Sequence, residues 1–296
     1  MRARKIRPLE AAPCSVVRRE MRIGSILAAQ GKLDSASIEQ VIKLQQARGL
    51  LRFGEAALRL QLITLEDLRA ALAKQYDYPY LPLDGDDFSP DLAVSRDARH
   101  PQAEQFRALR TQLLVRWSNI PREPRALAIV SPGPFEGRSF VAANLAVLFA
   151  QLGLHTLLID ADLRTPRQFE IFNIPDQIGL SAVLSGRAGR EAAVPVPALG
   201  PLSVLPAGAP PPNPQELLLR PSLAAFLEHA DSEYDVILVD TPPAQESADA
   251  QCVAFCAGSV LVLARTNHTR VDDAAGLVRD LGAAGALVVG TALNTF

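Results

Sequence analysis

Short apolar runs bounded by turn residues dominate the sequence after residue 125. They fall at 126–131, 155–160, 202–206, 234–240, 259–264 and 286–290. Segments with a helical spacing of apolar residues alternate with these runs, including a predicted helix over 139–152. A strand that is apolar at every position is typical of a parallel sheet covered by helices on both faces. The pattern therefore predicts an α/β domain built on a mostly parallel sheet.

The pattern before residue 80 is helical and is repeated once. The segment that starts at Arg22 and the segment that starts at Arg52 share apolar positions throughout. In each copy a short helix is followed by a turn and a second helix, which Asp34 or Thr64 is expected to cap. The repeat predicts a small all-α domain made of two helical hairpins.

These patterns divide the chain into four segments. We expect a disordered basic tail at 1–20, a small helical domain at 21–82, a linker at 83–103 and an α/β domain at 104–296. A further helix is predicted over 102–117. The longest apolar stretch, 140–159, is interrupted by polar residues, so it fits a buried helix and strand better than a membrane span. The basic tail lacks the apolar segment of a secretory signal, and we expect a cytoplasmic protein.

Composition narrows the possible functions. The 296 residues are 48% hydrophobic, which is enough for a core, and the net charge of −2 argues against non-specific binding to nucleic acid. Three cysteines are too few for a disulfide framework. Lysine occurs at Lys5, Lys32, Lys43 and Lys74 only, so nearly all of the 30 basic residues are arginines.

Polar residues that suit a nucleotide follow three of the predicted strands. The segment 131–140, SPGPFEGRSF, joins a strand to a helix, and such a turn presents backbone N–H groups to phosphate. Asp160 and Asp162 follow the second strand, and Asp240 follows a later one. Any one of these aspartates is equally well explained as a turn residue. Together, at the carboxyl ends of strands, they predict a Mg²⁺–nucleotide site.

Six loop residues are expected to contact the nucleotide: Gly133, Glu136, Gly137, Arg138, Ser139 and Phe140. The Ser139 hydroxyl is expected to ligate Mg²⁺ together with the three carboxylates. The usual loop has lysine at the position of Arg138, and glycine is common at the positions of Pro132 and Phe135. Arginine pairs with phosphate as a planar fork. Phenylalanine fits poorly if its backbone position requires a positive φ.

These motifs resemble those of the bacterial protein-tyrosine kinases of polysaccharide synthesis (BY-kinases), which are P-loop relatives of the ParA and MinD ATPases. The resemblance covers about 104–296 and rests on the loop with GRS, on IDADLRTPR, on DTPP and on PPNPQELL. Glu104, Arg107 and Arg110 are similar to the E-x-x-R-x-x-R pattern of the family's ring-forming helix. From their spacing alone they form an ordinary surface helix with i, i+3 ion pairs.

The resemblance implies an ATP-dependent tyrosine kinase that regulates the chain length or export of an exopolysaccharide. It also implies a homo-oligomer that works with a membrane-embedded chain-length determinant at the inner face of the inner membrane. Arg138 and Ser139 would contact phosphates and Mg²⁺. Asp160 and Asp162 would ligate the metal through water and orient or deprotonate the acceptor tyrosine. Asp240 would hold the metal's second shell.

Two features of the family are missing from the printed sequence. It has no tyrosine cluster near its end, since Tyr234 is the only tyrosine after position 80, and its α/β part contains no lysine. A non-catalytic nucleotide switch or adaptor subunit of the same machinery therefore remains an alternative. The retained aspartates and Ser139 favour activity. A MinD-like membrane-positioning ATPase is disfavoured, because no amphipathic helix follows the last predicted strand.

The helical repeat resembles the N-terminal domain of type II secretion and pilus ATPases (MshEN type) over about 21–82. Some members of that family bind cyclic di-GMP through a tandem R-[LI]-G motif, which would correspond to Arg22, Gly24, Arg52 and Gly54. The arginines could stack on guanine or pair with phosphate. The alternative, which we favour slightly, is a purely structural docking module with both arginines on a solvated surface.

Overall fold

The structure, a computed structural model, describes residues 22–48, 51–76, 88–96, 101–117 and 126–295. These residues form two compact units, one on each side of residue 86. The predicted tail at 1–20 lies outside the described residues, as do residues 83–87 and 97–100 of the predicted linker. None of the described helices is long and apolar enough to cross a membrane.

The first unit consists of four helices. They are α1 (Ile23–Ala29), α2 (Ser35–Arg48), α3 (Phe53–Arg59) and α4 (Leu65–Tyr76). The Asp34 carboxylate accepts a hydrogen bond from the N–H of Ser37 at 2.7 Å, and the Thr64 hydroxyl accepts one from the N–H of Asp67 at 3.1 Å. Both predicted caps are therefore present. Apolar residues of all four helices pack into one small core.

The glycines of the repeated motif lie at tight packing positions in this unit. A Cβ at Gly24 would be 3.0 Å from the Phe53 ring, and a Cβ at Gly54 would be 2.4 Å from a methyl group of Leu68. Arg22 and Arg52, which precede them, are exposed. Packing alone therefore accounts for the two glycines, without a ligand.

The second unit is an α/β domain. Its helices are α5 (Ala93–Arg96), α6 (Pro101–Trp117), α7 (Arg138–Ala150), α8 (Gln168–Phe172), α9 (Leu180–Leu184), α10 (Pro214–Leu218), α11 (Pro221–Ala230), α12 (Asp249–Ala257) and α13 (Val271–Ala283). Its strands are β1 (Ala126–Val130), β2 (Thr156–Asp160), β3 (Val194–Pro195), β4 (Leu202–Leu205), β5 (Val236–Asp240), β6 (Gly258–Arg265) and β7 (Leu287–Asn294). The six predicted strands are all present.

The strands of the described chain form one sheet in the order β3-β4-β2-β5-β1-β6-β7. Every pairing is parallel except that of β3 with β4. All residues of β1, β2 and β5 are buried, which confirms the predicted α/β fold with a covered sheet. The two-residue β3 was not predicted, because it contains Pro195 and lies at the edge, where proline is tolerated.

Residues 88–96, which fall within the predicted linker, pack on α7. The Asn144 side chain is fully buried, accepts a hydrogen bond from the N–H of Val94 at 3.1 Å and donates one to the carbonyl of Asp91 at 2.7 Å. Leu92 and Val94 are also completely buried. This segment is therefore part of the α/β unit. Its few apolar residues were not enough to show a periodic pattern.

Candidate nucleotide site

The predicted site residues meet at the carboxyl edge of the sheet. Strand β5 lies between β1 and β2, and Asp160 is paired in register with Asp240. The loop that follows β1 leads into α7, so its residues lie at the same edge. The topology therefore brings together the loop and the two strand-end carboxylates, as the sequence predicted.

Asp160 is completely buried and accepts hydrogen bonds from three backbone N–H groups. These come from Asp162 at 3.1 Å, Arg167 at 3.0 Å and Gln168 at 2.9 Å. Burial, and next the Asp240 carboxylate, raise the pKa of Asp160 well above its ordinary value, against the effect of the N–H donors. Asp160 thus organises the turn after β2 and shares a buried environment with a second carboxylate.

Asp162 organises the next turn. Its Oδ1 accepts hydrogen bonds from the N–H groups of Arg164 at 3.2 Å and Thr165 at 2.9 Å, and its Oδ2 accepts one from the Thr165 hydroxyl at 3.0 Å. The residue is 4% exposed. Asp160 and Asp162 therefore each stabilise a turn, as a single aspartate after a strand often does. This contribution is separate from any contact with a ligand.

Asp240 is the third buried carboxylate. Burial raises its pKa to about 6, although the nearby Ser139 hydroxyl, the hydrogen bond from Gln168 and the charge of Arg138 act in the opposite direction. The Gln168 amide donates to Asp240 Oδ2 at 2.8 Å. Two carboxylates side by side in a buried setting repel each other, so a cation at this edge would stabilise their ionised forms.

The loop between β1 and α7 is held in a conformation that requires two positive φ angles. Gly137, the N-cap of α7, has a φ of 94°, and Phe135 has a φ of 59°. The usual loop has glycine at position 135, and the backbone there does adopt a left-handed conformation. Phe135 adopts this conformation with backbone strain. The Phe135 side chain is 77% exposed.

Glu136 stabilises this loop through hydrogen bonds of its side chain and its carbonyl. Its carboxylate accepts hydrogen bonds from the N–H of Gly133 at 2.9 Å and from the Thr269 hydroxyl, and the residue is 1% exposed. Its carbonyl accepts a hydrogen bond from the Asn294 amide at 3.2 Å. In this structure the Glu136 side chain therefore supports the loop conformation, which differs from the predicted direct contact with nucleotide.

Arg138 is the first residue of α7 and is 8% exposed. Its Nε donates to the Thr241 carbonyl at 2.8 Å, and its Nη1 donates to the Gly133 carbonyl at 2.7 Å and to the Ser131 hydroxyl. The guanidinium is thus bound to three acceptors of the loop and of the segment after β5. Its charge lies near Asp240 and lowers the pKa of that carboxyl.

Several residues of the site were not predicted from the sequence. Gln168 contacts Asp240, Thr269 and Asn294 contact Glu136, and the Arg265 guanidinium donates to the Phe135 carbonyl at 3.0 Å. Arg164, from the IDADLRTPR motif, donates to the fully buried Asp249 at 2.8 Å. Each is a polar residue in a turn or at the end of an element, and no periodicity marks such residues. Arg265, Thr269 and Asn294 lie at or just after the ends of β6 and β7, and β6 pairs with β1 while β7 pairs with β6. Those positions could have indicated these three residues.

The donor set fits Mg²⁺ that is held mainly through water and phosphate. Carboxylates and a serine hydroxyl are the oxygen ligands this ion prefers, and it usually keeps several waters. Among the described residues no group of three His, Cys, Asp or Glu side chains forms a ready cage for a metal. Two buried acceptors at this edge, Asp240 Oδ1 and Gln168 Oε1, have no hydrogen-bond partner among the residues that the structure describes. Metal-bound water is a suitable donor for both.

The predicted oligomerisation residues lie on α6. Glu104 and Arg107 form the i, i+3 ion pair at 2.9 Å that the spacing suggested, and Glu104 is largely exposed. Arg110 donates to the Leu148 carbonyl of α7 at 3.2 Å. The edge-to-face contact of Phe106 with Phe140, at 5.6 Å between ring centroids, also fixes α6 on α7.

No family model matches the chain, but individual proteins do. It is 38% identical to the tyrosine-protein kinase YwqD of Bacillus subtilis over 193 residues, which is 65% of this chain and 80% of YwqD. It is 34% identical to the tyrosine-protein kinase Etk of Escherichia coli K12 over 205 residues, 69% of this chain and 28% of Etk. The matched region is thus nearly all of one relative and about a quarter of the other.

Solved structures give the same result. The kinase domain of Escherichia coli ETK superposes with a TM-score of 0.66 at 32% identity, covering 71% of this chain and 82% of that one. The septum site-determining protein MinD of Pyrococcus horikoshii, complexed with Mg-ADP, reaches 0.50 at 25% identity over 57% of this chain and 69% of that one. The fold is that of P-loop ATPases, and the chain belongs to the family of bacterial tyrosine-protein kinases.

Proposed function

We propose that the chain transfers the γ-phosphoryl group of ATP to tyrosine side chains at the carboxyl edge of its sheet. The observation that carries this proposal is the register pairing of Asp160 with Asp240 beside the α7 N-terminus, within a tyrosine-kinase family fold. The backbone N–H groups at the start of α7 would donate to the phosphates, and the helix dipole favours negative charge there. Arg138 supplies the side-chain cation.

The acceptor step needs little covalent help from the protein. The tyrosyl oxygen forms a bond to the γ-phosphorus, the bond from that phosphorus to ADP breaks, and ADP leaves with the bonding electron pair. Asp162 orients the tyrosyl hydroxyl and takes its proton. Ser139, Asp160, Asp162 and Asp240 would hold Mg²⁺, directly or through water. When bound, Mg²⁺ neutralises the charge that develops on the phosphates.

The biological role follows from the same family. The chain regulates the chain length or export of an exopolysaccharide, together with a membrane-embedded chain-length determinant that brings it to the inner membrane. Co-purification with a co-expressed determinant, with and without ATP, tests the partnership.

Incubation of the full chain with γ-labelled ATP, Mg²⁺ and a tyrosine-containing copolymer tests the chemistry. We expect labelled phosphotyrosine on the copolymer, on the chain itself or on the co-expressed partner, and we expect EDTA to abolish it. ATP binding without label on any of these acceptors would contradict the kinase and favour the nucleotide-switch subunit.

A further inference from the structure

Gln168 contacts both strand-end carboxylates and the phosphate loop. It is the first residue of α8 and is completely buried. Its side-chain Nε2 donates to Asp240 Oδ2 at 2.8 Å and to the Ser139 carbonyl at 3.2 Å. Its backbone N–H donates to Asp160 Oδ2 at 2.9 Å. One residue thus joins the ends of β2 and β5 to the first turn of α7.

The oxygen of the Gln168 side-chain amide lacks a hydrogen-bond donor among the described residues. Gln168 Oε1 is buried and, within the described part of the chain, has no hydrogen-bond donor. Asp240 Oδ1, the carboxylate oxygen that Gln168 does not bind, is in the same condition. A buried acceptor without a donor costs free energy, so two such atoms on hydrogen-bonded neighbours indicate that donors arrive with a ligand.

The surroundings identify the donor. Both atoms belong to the edge where Ser139, Asp160 and Asp240 meet, and this set of hard oxygen ligands suits a magnesium ion that retains water molecules. Metal-bound water donates strong hydrogen bonds to carboxylate and amide oxygens nearby. Phosphate oxygens are acceptors and could not satisfy either atom.

We propose that Gln168 is a positioning residue for Mg²⁺, whose amide nitrogen orients Asp240 and whose free oxygen accepts a hydrogen bond from a water molecule of the metal's shell. This inference rests on the proposed function, because it assumes a metal–nucleotide complex at this edge. It adds a residue with no charge and no motif to the group that serves the metal.

The test is calorimetric titration of ADP into the full chain, in EDTA and over a series of Mg²⁺ concentrations. The variant is Gln168→Met, which keeps volume and removes both polar atoms, and the matched control is the exposed Gln177→Met. We expect Gln168→Met to weaken ADP binding much less in EDTA than in the presence of Mg²⁺. We expect the Mg²⁺ concentration for half-maximal enhancement of binding to rise about tenfold, the usual effect of losing an outer-shell partner.

Three results would overturn the inference. Gln168→Met could show the wild-type Mg²⁺ dependence, or it could weaken ADP binding equally with and without Mg²⁺, as a merely structural role requires. Wild-type chain that binds ADP without any Mg²⁺ dependence would overturn the proposed function as well. If Gln168→Met does not fold, Gln168→Asn retains the amide on a shorter side chain, and the same rise in required Mg²⁺ is expected.

Discussion

Asp160 and Asp240 are direct neighbours, because β2 and β5 pair in parallel with these two residues opposite each other. Both are completely buried, and the pKa of each is raised, first by burial. A structural turn explains the N–H donors around Asp160, but it does not explain a second buried carboxylate beside it. A cation at this edge does, and this relationship is the physical basis of the proposed kinase site.

The strained backbone at Phe135 gives a prediction about stability. Its φ of 59° is in the left-handed region, and its ring is mostly exposed, so Phe135→Gly removes strain and little buried surface. We expect the free energy of unfolding to rise by about 1 kcal/mol, measured by urea denaturation. Phe135→Ala is the matched control, since it removes the ring and keeps the strain. Equal stability of the two variants would contradict the explanation.

The ion pair between the two helical hairpins gives a pH dependence. Lys32 Nζ lies 2.8 Å from Asp67 Oδ1, and hydrogen bonds from Lys32 and Thr64 lower the pKa of Asp67 to about 2. Because the pKa of Asp67 is lower in the folded chain than its value of 3.8 in the unfolded chain, the ionised carboxylate stabilises the fold at pH values above 3.8. This contribution is lost as the pH falls from 3.8 toward 2. We expect hydrogen exchange in α1 and α4 to accelerate between pH 4 and pH 2.

Asp67→Asn provides the control for this effect. The variant cannot titrate, so its exchange rates, corrected for the intrinsic pH effect, should change much less over the same interval. An acceleration equal to that of wild type would show that other groups cause the acid sensitivity.

Charge reversal on α6 tests the predicted assembly surface. If Glu104 and Arg107 only form their local ion pair, Arg107→Glu changes stability by about 0.5 kcal/mol and leaves the oligomeric state unchanged. If α6 assembles a homo-oligomer, as the resemblance of Glu104, Arg107 and Arg110 to the family's ring-forming helix implies, the variant dissociates. Sedimentation of wild type and variant with ATP and Mg²⁺ separates the two cases, and an unchanged oligomer would remove α6 from the interface.

The cyclic di-GMP hypothesis also remains open to measurement. Gly24 and Gly54 are explained by contacts with Phe53 and Leu68, so the helical unit needs no ligand. We therefore expect no heat when cyclic di-GMP is titrated into the full chain up to high micromolar concentration. Saturable heat that disappears in Arg22→Ala would overturn this expectation and assign a sensor role.

The sequence indicated the strands of the sheet well, because a covered parallel strand is apolar at every position. It also located the loop and the three aspartates, since each follows such a strand. It did not indicate Gln168, whose role depends on the turn that Asp160 organises, or β3, which has two residues. The hydrogen bond between Glu136 and Thr269 joins residues far apart in the chain, and no local sequence pattern predicts such a contact.

The most direct test of the central claim compares phosphotransfer by wild type and by Asp162→Asn. Asparagine retains the Oδ1 that accepts hydrogen bonds from Arg164 and Thr165, so the turn should survive, while the charge is lost. With γ-labelled ATP and Mg²⁺, the account predicts label on tyrosine with wild type and with the control Asp272→Asn, and none above background with Asp162→Asn. Undiminished transfer by Asp162→Asn would contradict the assignment of the site.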